Sequence, residues 1–186
     1  MNPCKKNCSC ERCKKCGIPS RVIKAVEECE IPLPQEPPPQ PPPPAFANFF
    51  LSGGGDIFLD DNEAIPWNSK GETSGITLDP DNVTIRVSQA GMYNIDFIIT
   101  GGFASFLPNI IVVAIFVNDI EVNPILTRFG AINNEGDRFE CIPISGGAIV
   151  PIPAGGTVQL RNVGGARFTT CGGTTFSSSI KLIKII

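Results

Sequence analysis

Residues 83–100 read VTIRVSQAGMYNIDFIIT. In the second half of this stretch Tyr93, Ile95, Phe97 and Ile99 fall on one side, with Asn94, Asp96 and Thr100 opposite. Side chains of an extended backbone point alternately to its two faces, so this period of two is a strand with one buried face. The first five residues repeat the pattern, with Val83, Ile85 and Val87 set against Thr84 and Arg86.

The same signal continues outward from this stretch. IIVVAIFV (110–117), FECIPI (139–144), AIVPIP (148–153), TVQLRNV (157–163) and SSIKLIKII (178–186) are short apolar or alternating runs. Gly, Pro, Asn or Asp punctuate them. No stretch between residues 45 and 186 carries a helical period, and many short strands bury their apolar faces most simply in two stacked sheets. The expected class is all-β, a two-sheet sandwich over 45–186. IIVVAIFV has no polar face, which is the mark of a strand covered on both sides. One cover is the opposite sheet. The other is expected to be a second subunit, with Ile110, Val112, Ala114 and Phe116 as interface residues, unless the strand simply runs through the core beneath a long loop.

Composition narrows the function. Apolar residues make up 42% and charged residues only 18%, with a net charge of -3. Nucleic acid and anionic membrane surfaces attract basic faces, so neither is an expected partner. The longest apolar run is too short to span a bilayer. Histidine is absent altogether, which removes the commonest general base and metal ligand. No catalytic residue, cofactor site or metal site is assigned, and an enzyme is not expected. Asp56, Asp60, Asp61, Glu63, Asp79 and Asp81 read as solvated turns, with calcium as the alternative.

Two segments precede the β domain. Residues 31–44, IPLPQEPPPQPPPP, form a proline-rich spacer whose fixed φ favours polyproline II. Residues 1–30 form a cysteine-rich head. There Ser20 to Glu30 reads either as a disordered tail or as a short helix, capped by Ser20, with Val22, Ile23, Val26 and Cys29 on one face. Cys4, Cys8, Cys10, Cys13 and Cys16 are spaced C-x3-C-x-C-x2-C-x2-C. Four thiolates of this kind clasp zinc, but two C-x2-C steps sharing Cys13 do not make two separate knuckles. Covalent cross-linking fits better, because Lys5, Lys6, Lys14 and Lys15 favour the thiolate that exchanges disulfides. With Cys29, these are the candidate inter-subunit disulfide cysteines. Cys141 and Cys171 lie in the β domain, their pairing open, with buried small side chains the alternative reading. Residues 1–15 have no apolar core of a secretory signal, so synthesis in a cytoplasm and late oxidation are expected.

Several motifs carry a family likeness. VTIRVSQAGMYNIDFIIT, around Gly91 and Tyr93, resembles the "strand, x-x-G-x-Y, strand" signature of complement and tumour-necrosis-factor-like jelly rolls. IVVAIFVNDIEV, turning at Asn118-Asp119, resembles the following hairpin, and IPAGGTVQLRNV resembles a later turn and strand, with Gly156 where an acid is common. SSSIKLIKII stands where the last strand belongs. Within that group, residues 50 to 186, including GGGDIFLDDNEAIPWNSKG, resemble the C-terminal domain of the BclA-type Bacillus collagen-like spore-surface glycoproteins. The resemblance implies a homotrimeric jelly roll at the exosporium, made in the mother-cell cytoplasm. Glycans on FTTCGGTTFSSS are a further expectation of the analogy. The Gly-X-Y stalk of that family is missing here, replaced by the cysteine head and proline spacer. A structural subunit of a spore-surface fibre or appendage is therefore expected: homotrimers linked head to tail through the N-terminal connector and fixed by disulfides, with an exosporium anchor protein as a further candidate partner. The alternative is a trimeric ligand- or receptor-binding head anchored by its tail.

Overall fold

The computed structural model describes residues 43–53, 57–103, 109–133, 141–171 and 176–186. The cysteine head, with Cys4, Cys8, Cys10, Cys13, Cys16 and Cys29, the Ser20–Glu30 segment and most of the proline spacer lie outside them. Among the described residues the elements are β1 (Phe46–Ser52), β2 (Phe58–Leu59), β3 (Ser69–Lys70), β4 (Ile76–Leu78), β5 (Ile85–Val87), β6 (Gly91–Phe103), β7 (Asn109–Val117), β8 (Ile120–Glu121), α1 (Pro124–Thr127), β9 (Arg128–Asn133), β10 (Ile142–Ile152), β11 (Thr157–Asn162), β12 (Phe168–Thr170) and β13 (Phe176–Lys184). They form two antiparallel sheets. The seven-stranded one runs β2-β12-β6-β13-β1-β3, with β10 also on β6. The six-stranded one runs β4-β5-β11-β7-β8, with β9 also on β7. The all-β sandwich expected from the alternation is the fold observed.

The core lies between the sheets. From the seven-stranded sheet come Ala47, Phe49 and Leu51 of β1, Tyr93, Ile95, Phe97 and Ile99 of β6, and Ile180 and Leu182 of β13. Ile111, Val113, Ile115, Val158 and Leu160 face them from the six-stranded sheet. Gly91 and Tyr93 now have physical roles. A Cβ on Gly91 would meet the Ile186 carbonyl oxygen at 2.3 Å, so only glycine lets the last strand close in. Tyr93 is fully buried and its hydroxyl donates to the Gln89 carbonyl at 2.7 Å, which satisfies the polar tip of an otherwise apolar side chain. The Asn118-Asp119 hairpin also forms. Both residues have positive φ, 51° and 63°, between paired Val117 and Ile120, which is the conformation of a tight turn matched to strand twist.

Three local readings are corrected by packing. FECIPI and AIVPIP are not separate strands: β10 runs unbroken from Ile142 to Ile152. Val83 precedes β5 instead of joining it, because the Asp81 carboxylate accepts from the Val83 and Thr84 amides at 3.0 Å and closes a turn there. Thr169, Thr170, Ser177 and Ser178, offered as glycan sites by the analogy, are buried on β12 and β13.

Gly146 of β10 is filled from above by the Phe129 ring, three of whose atoms lie 2.4–2.6 Å from the place a Cβ would occupy. Phe129 in turn meets Phe97 edge-to-face, centroids 5.4 Å apart. Gly146→Ala is expected to cost about 1–3 kcal/mol by overpacking, and much less in a Phe129→Ala background. Chemical denaturation of the four proteins of this double-mutant cycle checks it; equal costs in both backgrounds would place the strain elsewhere.

Candidate self-association surface

The outer face of the seven-stranded sheet is the counterpart of the buried face just described. Register places its outward residues in three cross-strand rows. Phe50, Ser179, Ile98 and Ser145 form the first, Asn48, Lys181, Asp96 and Gly147 the second, and Phe46, Ile183, Asn94 and Ile149 the third. A solvated sheet face should be polar. This one sets large exposed apolar side chains among polar ones: Ile98 is 52% exposed, Ile149 59% and Ile183 42%.

The middle row is polar and internally paired. Lys181 Nζ lies 3.2 Å from Asp96 Oδ2, and Asn94 Nδ2 donates to the same oxygen at 2.7 Å. Gly147 leaves room for this carboxylate, since a Cβ there would stand 2.6 Å from Asp96 Oδ1. Asn48 Oδ1 is buried and has no hydrogen-bond partner among the described residues. A charge pair flanked by exposed isoleucines can bury area through them while the pair sets the register. Exposed, such a pair contributes little to the stability of one chain.

The expected interface residues lie on the other sheet. Ile110, Val112, Ala114 and Phe116 share the outer face of β7, while Ile111, Val113 and Ile115 enter the core. Within the single chain Ala114 is fully buried and Phe116 only 8% exposed. The Phe116 ring is covered in cis. The Arg161 guanidinium sits 4.5 Å from the Phe116 ring centroid, held by Asp119 and by Gln159, whose Oε1 accepts from Arg161 Nε at 2.8 Å. Gln159 Nε2 then donates to Thr84 Oγ1 at 2.6 Å. A stacked guanidinium desolvates a ring face much as an apolar partner would. Ile110, 41% exposed, and the half-buried Val112 remain open at the other end of the strand.

Asp56 lies outside the described residues; Asp60, Asp61, Glu63, Asp79 and Asp81 have partners of their own. Arg167 pairs with Asp60, Nη2 to Oδ2 2.9 Å, and Arg86 pairs with Asp79 at 2.6 Å. Among the described residues no group of three or more acidic or cysteine side chains is placed to hold a metal. The hydrogen bond from Arg167 holds the Asp60 carboxyl below its ordinary value, and that from Arg128 does the same for Glu121. Burial opposes ionisation of Asp81, but hydrogen bonds from the Thr84 hydroxyl and the Thr84 and Val83 amides outweigh it and lower that carboxyl too. Lowered carboxyls stabilise the fold above their ordinary values of 3.8 to 4.5 and lose that contribution as pH falls through the lowered folded values. The urea midpoint is therefore expected to fall below about pH 4, with Asp81→Asn reducing the size of the fall. A fall of unchanged size in the variant would remove Asp81 from this account.

Cys141 and Cys171, left open by sequence, form a disulfide with Cα atoms 5.9 Å apart. Each adjoins a residue registered on Gly101, Ile142 of β10 and Thr170 of β12. No signal in either cysteine's neighbourhood reveals this, because the two meet only when both strands have found β6.

Neither a protein-family model nor a curated protein matches the chain. Solved structures do. A tumour necrosis factor, Eiger, from S. frugiperda superposes with a TM-score of 0.61 at 16% identity, covering 78% of this chain and 94% of that one. The globular domain of zebrafish complement 1qA superposes with a TM-score of 0.54 at 11% identity, covering 76% of this chain and 98% of that one. At such identities the likeness concerns architecture. The β domain has the jelly-roll fold of the tumour-necrosis-factor and complement C1q globular domains.

Proposed function

We propose that this chain is a structural, self-assembling subunit of a spore-surface fibre or appendage, whose jelly-roll heads associate as a homotrimer through the outer face of the seven-stranded sheet. The observation that carries the reading is the set of exposed isoleucines on this face, with Ile98 on one side of the Lys181–Asp96 pair and Ile149 and Ile183 on the other. Covering them with a second copy removes them from water, at roughly 25 cal/mol per Å² of apolar surface. In this proposal the N-terminal segment links heads through Cys4, Cys8, Cys10, Cys13, Cys16 and Cys29. The Cys141–Cys171 disulfide supports oxidation of the chain in its working environment. The spore-surface setting rests on the resemblance of residues 50 to 186 to BclA-type glycoproteins.

Light scattering of the full chain under reducing conditions tests the head contact, since reduction removes inter-subunit disulfides. A trimer mass at micromolar concentration is expected, falling to monomer in Ile98→Glu/Ile149→Glu. A monomeric wild type would overturn the trimer. Negative-stain images of the oxidised protein test the assembly: long fibres are expected, and isolated trimers would favour the anchored ligand-binding head instead.

A further inference from the structure

Three hydrogen bonds fix which way the backbone of β6 faces. The Met92 amide donates to Ile186 O at 2.9 Å, the Ile185 amide donates to Met92 O at 2.7 Å, and the Cys171 amide donates to Thr100 O at 2.9 Å. β13 and β10 both pair with Tyr93 to Ile99, so they flank β6 on opposite sides. Antiparallel strands bond through alternate residues. The even-numbered residues of β6 therefore turn their N–H and C=O groups toward β13 and β12, and the odd-numbered ones toward β10. Tyr93 stands opposite Val150, Phe97 opposite Gly146 and Gly101 opposite Ile142, so the even-numbered residues of β10 take up those bonds. Pro143, Ser145, Gly147, Ile149 and Pro151 direct their backbone groups the other way, to the free edge of the sheet. All five are exposed. The amides of Ser145, Gly147 and Ile149 have no partner among the described residues.

Open edges are ordinarily short, charged or interrupted, because otherwise they template another strand. The edge strands β2, β3, β4 and β8 follow this rule with two or three residues each. β10 does not. It runs for 11 residues, IPISGGAIVPI, without a charged side chain or a break in register. Its prolines fall only at outward positions, where no bond to β6 is lost. Each stands four residues from Gly147, so they set the length of the open ladder and make it symmetric about its centre. Gly146, Gly147 and Ala148 keep that centre free of bulky side chains.

We propose that β10 of one copy pairs antiparallel with β10 of a second copy about a two-fold axis at Gly147, extending the seven-stranded sheet across both. In that register the two Gly147 residues exchange amide-to-carbonyl bonds, and Ser145 of each copy does the same with Ile149 of the other. Every open amide of both edges is then satisfied. The next facing residues are Pro143 and Pro151, which have no N–H, so the ladder stops there without stranding a donor. An unrelated strand could take up the donors, but nothing would match its length and centre to this edge. A second copy is matched by the same two prolines, and this self-complementarity is what an isologous contact requires. The edge bonds lie in the plane of the sheet, whereas the sheet-face contact is perpendicular to it and uses side chains. A homotrimer carries three such edges, so the pairing joins one trimer to another.

Photo-crosslinking of the full chain reads the register. A photoreactive residue is placed at position 145 or, separately, at position 149. Each protein is mixed with an equal amount of 15N-labelled wild type, irradiated and digested. Heavy–light hybrid peptides are expected to join position 145 to residues 147–151 and position 149 to residues 143–147. Absence of both hybrids would overturn the proposal. Ser145→Pro removes one outward amide per copy and none that bonds β6. Under reducing conditions it should raise the dissociation constant of species larger than the basic oligomer roughly 10-fold or more, as loss of two hydrogen bonds does. Ser145→Ala keeps the amide and should leave that constant within about 2-fold of wild type. Equal effects of the two variants, or none from either, would refute the edge pairing. A wild-type dimer that Ser145→Pro turns into monomer would uphold the pairing and refute the sheet-face trimer.

Discussion

Asn162→Asp is expected to destabilise the domain by about 3–5 kcal/mol near neutral pH, the range for an uncompensated buried charge. Asn162 is fully buried at the end of β11. Its Nδ2 donates to the carbonyls of Leu59 and Asp60, each at 3.1 Å, and of Ala166 at 2.7 Å, while its Oδ1 accepts from the Gly164 amide at 3.1 Å. Its backbone exchanges bonds with Asn62 and Glu63. One side chain thus ties residues 57–68 to the six-stranded sheet. A carboxylate of the same shape would face three carbonyl oxygens with nothing to donate. Burial among acceptors raises its folded pKa above the ordinary value of about 3.9. The charge penalty is then absent below about pH 4 and grows as pH rises through the folded pKa. Asn162→Ala loses the same bonds without the charge, so its deficit relative to wild type should be flat with pH. Urea denaturation at about pH 4 and about pH 7.5 separates the two variants. If the aspartate variant tracks the alanine variant at both, the carbonyl cage around Asn162 is not as described.

Removal of the Cys141–Cys171 disulfide is expected to have the second-largest effect. The cysteines are 30 residues apart, and closing a loop of that size reduces the entropy of the unfolded chain by about 3–4 kcal/mol at 25 °C. For a domain of this size that corresponds to a melting temperature lower by about 10 °C. The double replacement Cys141→Ser/Cys171→Ser avoids a leftover thiol, and calorimetry with and without reductant gives an independent reading on wild type. A shift of under about 3 °C by both routes would mean that the loop is already restrained in the unfolded chain.

What could be read in the chain alone was local. Tyr93, Ile95, Phe97 and Ile99 announce their shared face through spacing, and they are all in the core. Asn118-Asp119 announces its turn through residue type, since few other side chains tolerate two successive positive φ values. These properties are decided within a few residues, so no distant partner can change them. The rest depended on which strands lie side by side. By spacing alone, the doubly apolar β7 calls for a cover from outside the chain at Ile110, Val112, Ala114 and Phe116. Only the placement of β11 beside it shows that Arg161 covers the Phe116 ring in cis, while Ile110 on the same face stays exposed. The rows joining Ile98 to Ser145 and Ile183 to Ile149 are likewise products of register across β13, β6 and β10. Asn162 looks like any polar residue at a strand end until residues 57–68 fold over it. Cys141 finds Cys171 only once β10 and β12 are both registered on β6. Periodicity is a property of one segment, whereas cover, register and pairing are properties of segments that meet across the fold, and those only the tertiary structure decided.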